Sequence, residues 1–243
     1  MPGQKAICEA TTMSQQTPGA ASGRPIRVLC WSERTEPERV YPRGINGAVA
    51  DALREAGGFE SRETQLGDPE QGLAEEHLAW ADVLTWFGHG RHRLVEDTCV
   101  ARIVRHIRER GMGFIPLHSS HYSKPFKAVL DHSGDLGGWR EDARPSIVYC
   151  CQPDHPIAQG IDRLFVVPQE EMYCEPFGIK PPDELVFISS FAHGEVFRSG
   201  CCWRAGQGRV FYFQPGHETF PVYYQREVKL VLANAARWAA GRS

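Results

Sequence analysis

The sequence predicts an α/β protein whose parallel strands are joined by crossover helices. Three observations carry this. From Arg27 to Leu130 short apolar runs alternate with amphipathic helical stretches, and links this short demand parallel strands with the helix as the crossover. After Leu130 strand-like runs follow one another across turn residues, so the second half adds antiparallel strands. At 243 residues the chain is long enough to bury one substantial core.

Arg27–Trp31 (RVLCW), just after Pro25, reads as a first, central strand. Ser32–Arg43 is charged, holds two prolines and reads as a loop. Gly44–Ala56 places Ile45, Ala48, Val49, Ala52 and Leu53 at helical spacing, and Gly57-Gly58 stops it. Phe59–Gln65 has the length of a second strand. Ala74–Ala81 is a short helix with Glu75 and Glu76 in its first turn, where the helix dipole favours negative charge. Asp82–Phe87 is a third strand ending in Gly88-His89-Gly90. Glu96–Arg110 is a helix with Cys99, Val100, Ile103, Val104 and Ile107 on one face and Gly111 as its stop. Phe114–Leu117 is then strand four, running into His118-Ser119-Ser120-His121 and a further helix.

Asp131–Arg144 reads as a Gly-rich loop around Trp139. Ser146–Gln152 is strand-like, and Leu164–Val167 is extended and leads into Gln169–Tyr173. Three more strands follow at Glu184–Phe191, Gly194–Trp203 and Arg209–Gln214, with turns at His193-Gly194 and Gly206-Gln207-Gly208. Val222–Ala239 closes the chain as a helix with Val228, Val231, Leu232, Ala235 and Trp238 facing inward. Residues 1–24, rich in Pro, Gly, Ser, Thr, Gln and Ala, are expected to be a disordered leader without the apolar core of a signal peptide. Residues 25–243 are expected to form one domain.

The formal net charge is -3 and no basic run stands out, which argues against nucleic acid as a partner. No apolar run approaches the ~20 residues that span a bilayer. The eight cysteines form no C-x-x-C pair and follow no export signal, so they read as reduced thiols of a cytoplasmic protein. The neighbours Cys150–Cys151 and Cys201–Cys202 should point to opposite faces of their strands. A homo-oligomer is compatible with this class of fold, but no helix carries an exposed apolar stripe that names an interface.

Four polar clusters fall at the ends of predicted strands: His89 with His92, His118 through His121, Glu170 and Glu171 with Tyr173 and Glu175, and His217 with Glu218. Ligands of an open α/β sheet bind beyond the carboxyl ends of its strands. His118, Glu171 and His217 would make a two-histidine, one-carboxylate set for a divalent metal, Zn²⁺ first and Mn²⁺ or Fe²⁺ behind it. His121 and Glu170 are the acid/base candidates. Tyr41, His89, His92, Tyr173 and Glu218 are assigned to substrate binding. A strand-turn-helix corner is also where an elbow nucleophile sits, which offers Ser119 or Ser120 as a metal-free alternative without a G-x-S-x-G around either. Gly88-His89-Gly90 begins like a dinucleotide fingerprint, but Arg93 stands where the third Gly is needed.

Seven stretches, taken in order, resemble the trehalose-utilisation, or ThuA-like, family. They are Tyr41-Pro42-x-Gly44-Ile45, Trp86-Phe87-Gly88-His89, Leu117-His118-Ser119-x-His121, Asp154-His155-Pro156-Ile157-Ala158-x-Gly160, Glu170-Glu171-Met172-Tyr173, Glu195–Gly200 and Pro215-Gly216-His217-Glu218. The resemblance runs from about Ile26 to Trp238. It implies a flavodoxin-like parallel sheet of the class I glutamine amidotransferase type. It also implies a role in the catabolism of trehalose and related disaccharides, with a sugar or keto-sugar as small-molecule partner. The family lacks the amidotransferase cysteine, as this corner does, so glutamine hydrolysis is not expected. A sugar-binding module without catalysis remains a third reading.

Overall fold

The computed structural model describes residues 23–242. The expected leader therefore lies outside the described residues, except for Gly23 and Arg24. The Arg24 guanidinium forms two hydrogen bonds, at 2.7 and 2.6 Å, with the Asp82 carboxylate.

Nine strands form one sheet in the order β2-β1-β3-β4-β9-β8-β7-β5-β6. The parallel half comprises β1 (Ile26–Ser32), β2 (Phe59–Gln65), β3 (Val83–Phe87) and β4 (Gly113–Leu117), as the short crossovers predict. The late strand β9 (Gly208–Phe213) also joins β4 in parallel. From there β8 (Val196–Ala205), β7 (Glu184–Ser190), β5 (Gly138–Cys150) and β6 (Leu164–Cys174) continue the sheet antiparallel.

Helices cover both faces. On one side α1 (Gly44–Ala56) and α5 (Arg226–Ala239) pack on Val28, Cys30, Ile115, Phe211 and Phe213. On the other, α2 (Glu75–Trp80), α3 (Asp97–Arg110) and α4 (Lys124–Leu130) pack on Leu29, Trp31, Phe114 and Tyr212. Burial on both faces explains why β1, β3 and β4 read as continuous apolar runs without alternation. Cys201 and Cys202 enter opposite cores, as their adjacency requires. All seven described cysteines are free thiols.

Two sequence expectations need correction. Residues 138–144 are strand, not loop: Trp139 pairs with Tyr173 and Arg140 with Met172. The Gly-rich composition misleads because the strand is interrupted by register shifts between Arg140 and Ser146, where Ala143 has φ +55°. The closing helix also starts late. Val222–Tyr224 forms a separate 3-10 turn before α5 begins at Arg226.

The irregularity in β5 positions the site. The Ile147–Tyr149 part of β5 pairs with β7 and, through Val148, Phe165 and Val167, belongs to the α1/α5 core. Beyond the bulge, Trp139 and Arg140 pair with Tyr173 and Met172, and the latter two enter the opposite core beside Phe177 and Phe197. The ribbon thus bends over the carboxyl end of β4, four strands away in sheet order.

Candidate functional site

The corner after β4 is built around His118. Its φ of +50° places a non-glycine residue in the left-handed region, a strain that surrounding contacts must hold. The Tyr212 hydroxyl donates to the His118 carbonyl at 2.8 Å, and His118 Nδ1–H donates to the Gln214 carbonyl at 2.9 Å. Ser120 Oγ donates to the Trp86 carbonyl at 3.0 Å and accepts from Gly88 N–H at 3.1 Å, pinning the corner to the end of β3. Ser119 Oγ reaches the Gly88 carbonyl and His89 Nδ1, both at 2.8 Å. The His118 ring is fully buried.

His118 Nε2 faces Glu171 Oε2 at 2.9 Å and the Tyr173 hydroxyl at 3.2 Å. His217 Nε2 lies 3.7 Å from the same Glu171 oxygen, 3.6 Å from Glu141 and 4.0 Å from Glu218. His89 Nδ1 lies 3.2 Å from Glu218. The His118 ring centroid is 5.3 Å from that of His217 and 6.0 Å from that of His89. Potential ligand atoms of His89, His118, His217 and Glu218 all fall within 4.8 Å of one another, as do those of Glu141, Glu171 and His217.

The charges follow from burial and pairing. Desolvation opposes a charged His118, but the Glu171 carboxylate outweighs it and pushes His118 up to about 9. Burial likewise opposes the charge of Glu171, and the His118 partner still holds it below its ordinary value. Burial, helped by the His118 charge, lowers His89 to about 4 and His217 to about 3, which leaves both rings neutral. Burial raises Glu218 to about 7.

These residues fit a divalent cation. His217 Nε2 and Glu218 Oε2 are buried without a hydrogen-bond partner among the described residues, a costly state that a cation between them would relieve. His118 keeps Nδ1–H on the Gln214 carbonyl, so loss of its other proton presents Nε2 as a lone pair. His217 Nδ1 accepts from the Thr219 backbone N–H at 3.2 Å and lies 2.8 Å from Thr219 Oγ1, which fixes the ring with Nε2 turned toward Glu171. Mixed histidine and carboxylate donors suit Zn²⁺ and neighbouring transition metals.

The structure brings His118, Glu171, His217, His89, Glu218, Tyr173 and Ser119 together, and His121 lines the same pocket. His121 Nδ1–H donates to the Gly134 carbonyl at 2.7 Å, leaving Nε2 buried and without a partner among the described residues. Burial lowers this ring to about 3. Three assigned residues lie elsewhere. Glu170 follows the alternation of β6 and turns away from Glu171, where its carboxylate accepts from the backbone N–H groups of Glu171 and Gly216. Tyr41 is buried, its hydroxyl donated to the Phe220 carbonyl at 2.6 Å. His92 does not line this pocket; its ring centroid is 6.4 Å from that of Tyr122. Ser120 is near the site but its hydroxyl is consumed by backbone.

Two contributors escape the sequence reading. Glu33, one residue past β1, is buried and accepts from the N–H groups of His89 (2.5 Å), Gly90 and Arg91 (3.0 Å), so it holds the His89 loop in place. Its position just beyond a strand's carboxyl end is the signal that could have found it. Glu141 is reached only once residues 138–144 are recognised as strand.

The site opens into a pocket of about 220 Å³. Tyr122, Trp139 and Tyr173 supply its aromatic lining, and His89, Ser119, His121 and Glu171 its polar one.

A family model described as trehalose utilisation (ThuA) matches residues 27–239. No curated protein matches the sequence significantly. Among solved structures, a ThuA-like protein from Parabacteroides merdae superposes with TM-score 0.69 at 14% identity, covering 89% of this chain and 90% of that one. A protein of Salmonella typhimurium described as cytoplasmic gives TM-score 0.63 at 13% identity over 88% and 99% of the two chains. A glutamine amidotransferase from Thermotoga maritima gives 0.53 at 14% identity over 90% and 99%. At these identities the likeness establishes the fold: flavodoxin-like, of the glutamine amidotransferase type.

Proposed function

From the premise that this chain belongs to the trehalose-utilisation (ThuA) family, we propose that it is a metal-dependent enzyme acting on a sugar or keto-sugar in disaccharide catabolism. The observation that carries the reading is the meeting of His118 and His217 on Glu171, beside the unpartnered His217 Nε2 and Glu218 Oε2. His118, Glu171 and His217 would hold the cation, Zn²⁺ first, which when bound polarises a carbonyl or acidifies water.

The remaining residues bind and orient. Trp139 is 61% exposed at the pocket and offers its ring face to a sugar. His121 Nε2 is a buried acceptor suited to a sugar hydroxyl. Glu218, in contact with His89, is placed to hold or move a proton. The pocket is smaller than the ~300–1,000 Å³ usual for small-molecule sites, which favours one ring-sized group inside and the rest of the substrate outside. A serine nucleophile has less support, because Ser120 is bonded to backbone on both sides and Ser119 reaches the Gly88 carbonyl. The cytoplasm is the proposed location, by analogy with the Salmonella protein; no helix among the described residues is long and apolar enough to cross a membrane.

The test is elemental mass spectrometry of the purified protein before and after chelation, with His217→Ala alongside. About one equivalent of Zn, Mn or Fe is expected in the native protein. Less than about a tenth of that is expected in folded His217→Ala. A native protein that stays metal-free after incubation with each ion would remove the metal from the mechanism.

A further inference from the structure

The loop that carries His89 continues into a groove the site has not used. Gly90–Leu94 faces Tyr122, Lys124 and Lys127 across a cavity of about 800 Å³. Tyr122 lines both this groove and the 220 Å³ pocket, so the two adjoin at its side chain.

The groove is cationic in a chain whose net charge is -3. Arg91, Arg93, Lys124 and Lys127 all line it. Lys124 is partly committed, since its Nζ donates to the Val95 carbonyl at 2.7 Å and to Asp97 at 2.8 Å. Lys127 Nζ sits 5.0 Å from the centre of the Tyr122 ring and has no carboxylate partner among the described residues. The side chains of Arg91 and Arg93 make no hydrogen bond or ion pair among the described residues, and both are exposed. His92, between them, has both ring nitrogens buried and unpartnered among the described residues. Of the nearby carboxylates, Asp97 pairs with Lys124 and offsets its charge, and Glu33 lies behind the loop with its oxygens taking three backbone N–H groups. Among the described residues, Arg91, Arg93 and Lys127 are therefore the unpaired cations of the groove.

We propose that this groove binds an anionic substituent, phosphate or carboxylate, of a substrate whose sugar ring occupies the adjacent pocket. The proposal rests on the sugar-site reading above and narrows its substrate class. Guanidinium groups bind such oxyanions through paired, charge-assisted hydrogen bonds, and Lys127 adds a point charge at the Tyr122 boundary. A neutral sugar would leave these groups solvated and gain nothing from them.

Calorimetric titration of the full chain with glucose, glucose 6-phosphate, glucuronate and inorganic phosphate tests this, with metal content read on the same samples. At least one anionic sugar is expected to bind about tenfold or more tighter than glucose, the scale of one added charge-assisted contact. The phosphate and carboxylate arms show which anion is meant. In Arg91→Ala/Arg93→Ala and in Lys127→Ala the advantage should shrink to about threefold or less, with metal content and glucose affinity unchanged. Equal affinity for glucose and both anionic sugars would overturn the proposal, as would an advantage that survives in both variants. If the native protein carries no metal yet shows the anion preference and its loss in the variants, the groove stands and the metal reading falls.

Discussion

Ser120 shows how a polar residue at a functional corner can be wholly structural. Its hydroxyl satisfies one carbonyl and one N–H from the end of β3, and the residue is fully buried. Ser120→Ala leaves both backbone groups unsatisfied, so urea denaturation should show a loss of about 1–3 kcal/mol. An unchanged midpoint would mean that water or a backbone shift replaces the hydroxyl. Glu170 and Glu171 illustrate the same distinction between neighbours. One carboxylate accepts from backbone N–H groups and holds the Gly216–His217 segment, while the other faces two imidazoles.

At the scale of elements, the bent β5–β6 ribbon does most to make the site. Its bulge carries Ala143 at φ +55°, a conformation that costs an L-residue about 1–2 kcal/mol and glycine almost nothing. Ala143 is exposed, so nothing but backbone conformation should change on substitution. Ala143→Gly is expected to gain about 0.5–1 kcal/mol after glycine's greater freedom in the unfolded chain is counted, and Ala143→Val to lose stability. Thermal midpoints that move the opposite way would show that the bend is imposed without strain at this residue.

For the whole molecule, the far end of the ribbon is fastened by an ion pair. Arg198 of β8 makes two bonds of 2.8 Å to the Glu175 carboxylate, just past β6. Burial pushes Glu175 up, but Arg198 and the N–H groups of Phe177 and Arg198 outweigh it and leave it below its ordinary 4.5. A lowered folded-state value means the unfolded chain binds the proton more tightly. The stabilisation is therefore full above about pH 5 and is lost as pH falls through the folded-state value. Denaturation midpoints measured from pH 7 down to pH 3 should fall, and Glu175→Gln should flatten part of that slope. An unchanged slope in the variant would assign the acid sensitivity to other carboxylates.

The local sequence determined the parallel half of this protein. Helices and strands from Arg27 to Leu130 are legible because apolar spacing, Gly57-Gly58 and Gly111 act within a few residues of each other. It also placed His118 and His217 beyond strand ends, whereas Glu171, expected at a strand end, lies within β6, which runs on to Cys174. Only the tertiary structure decided which neighbours share the site. The bulge in β5 has no apolar pattern to reveal it, yet it brings Trp139, Glu141, Glu171 and Tyr173 over β4. Strand alternation then removes Glu170, core packing removes Tyr41, and the loop after β3 turns His92 into the neighbouring groove. Each outcome depends on contacts between residues far apart in the chain, where backbone hydrogen bonds and packing fix directions that no local pattern encodes.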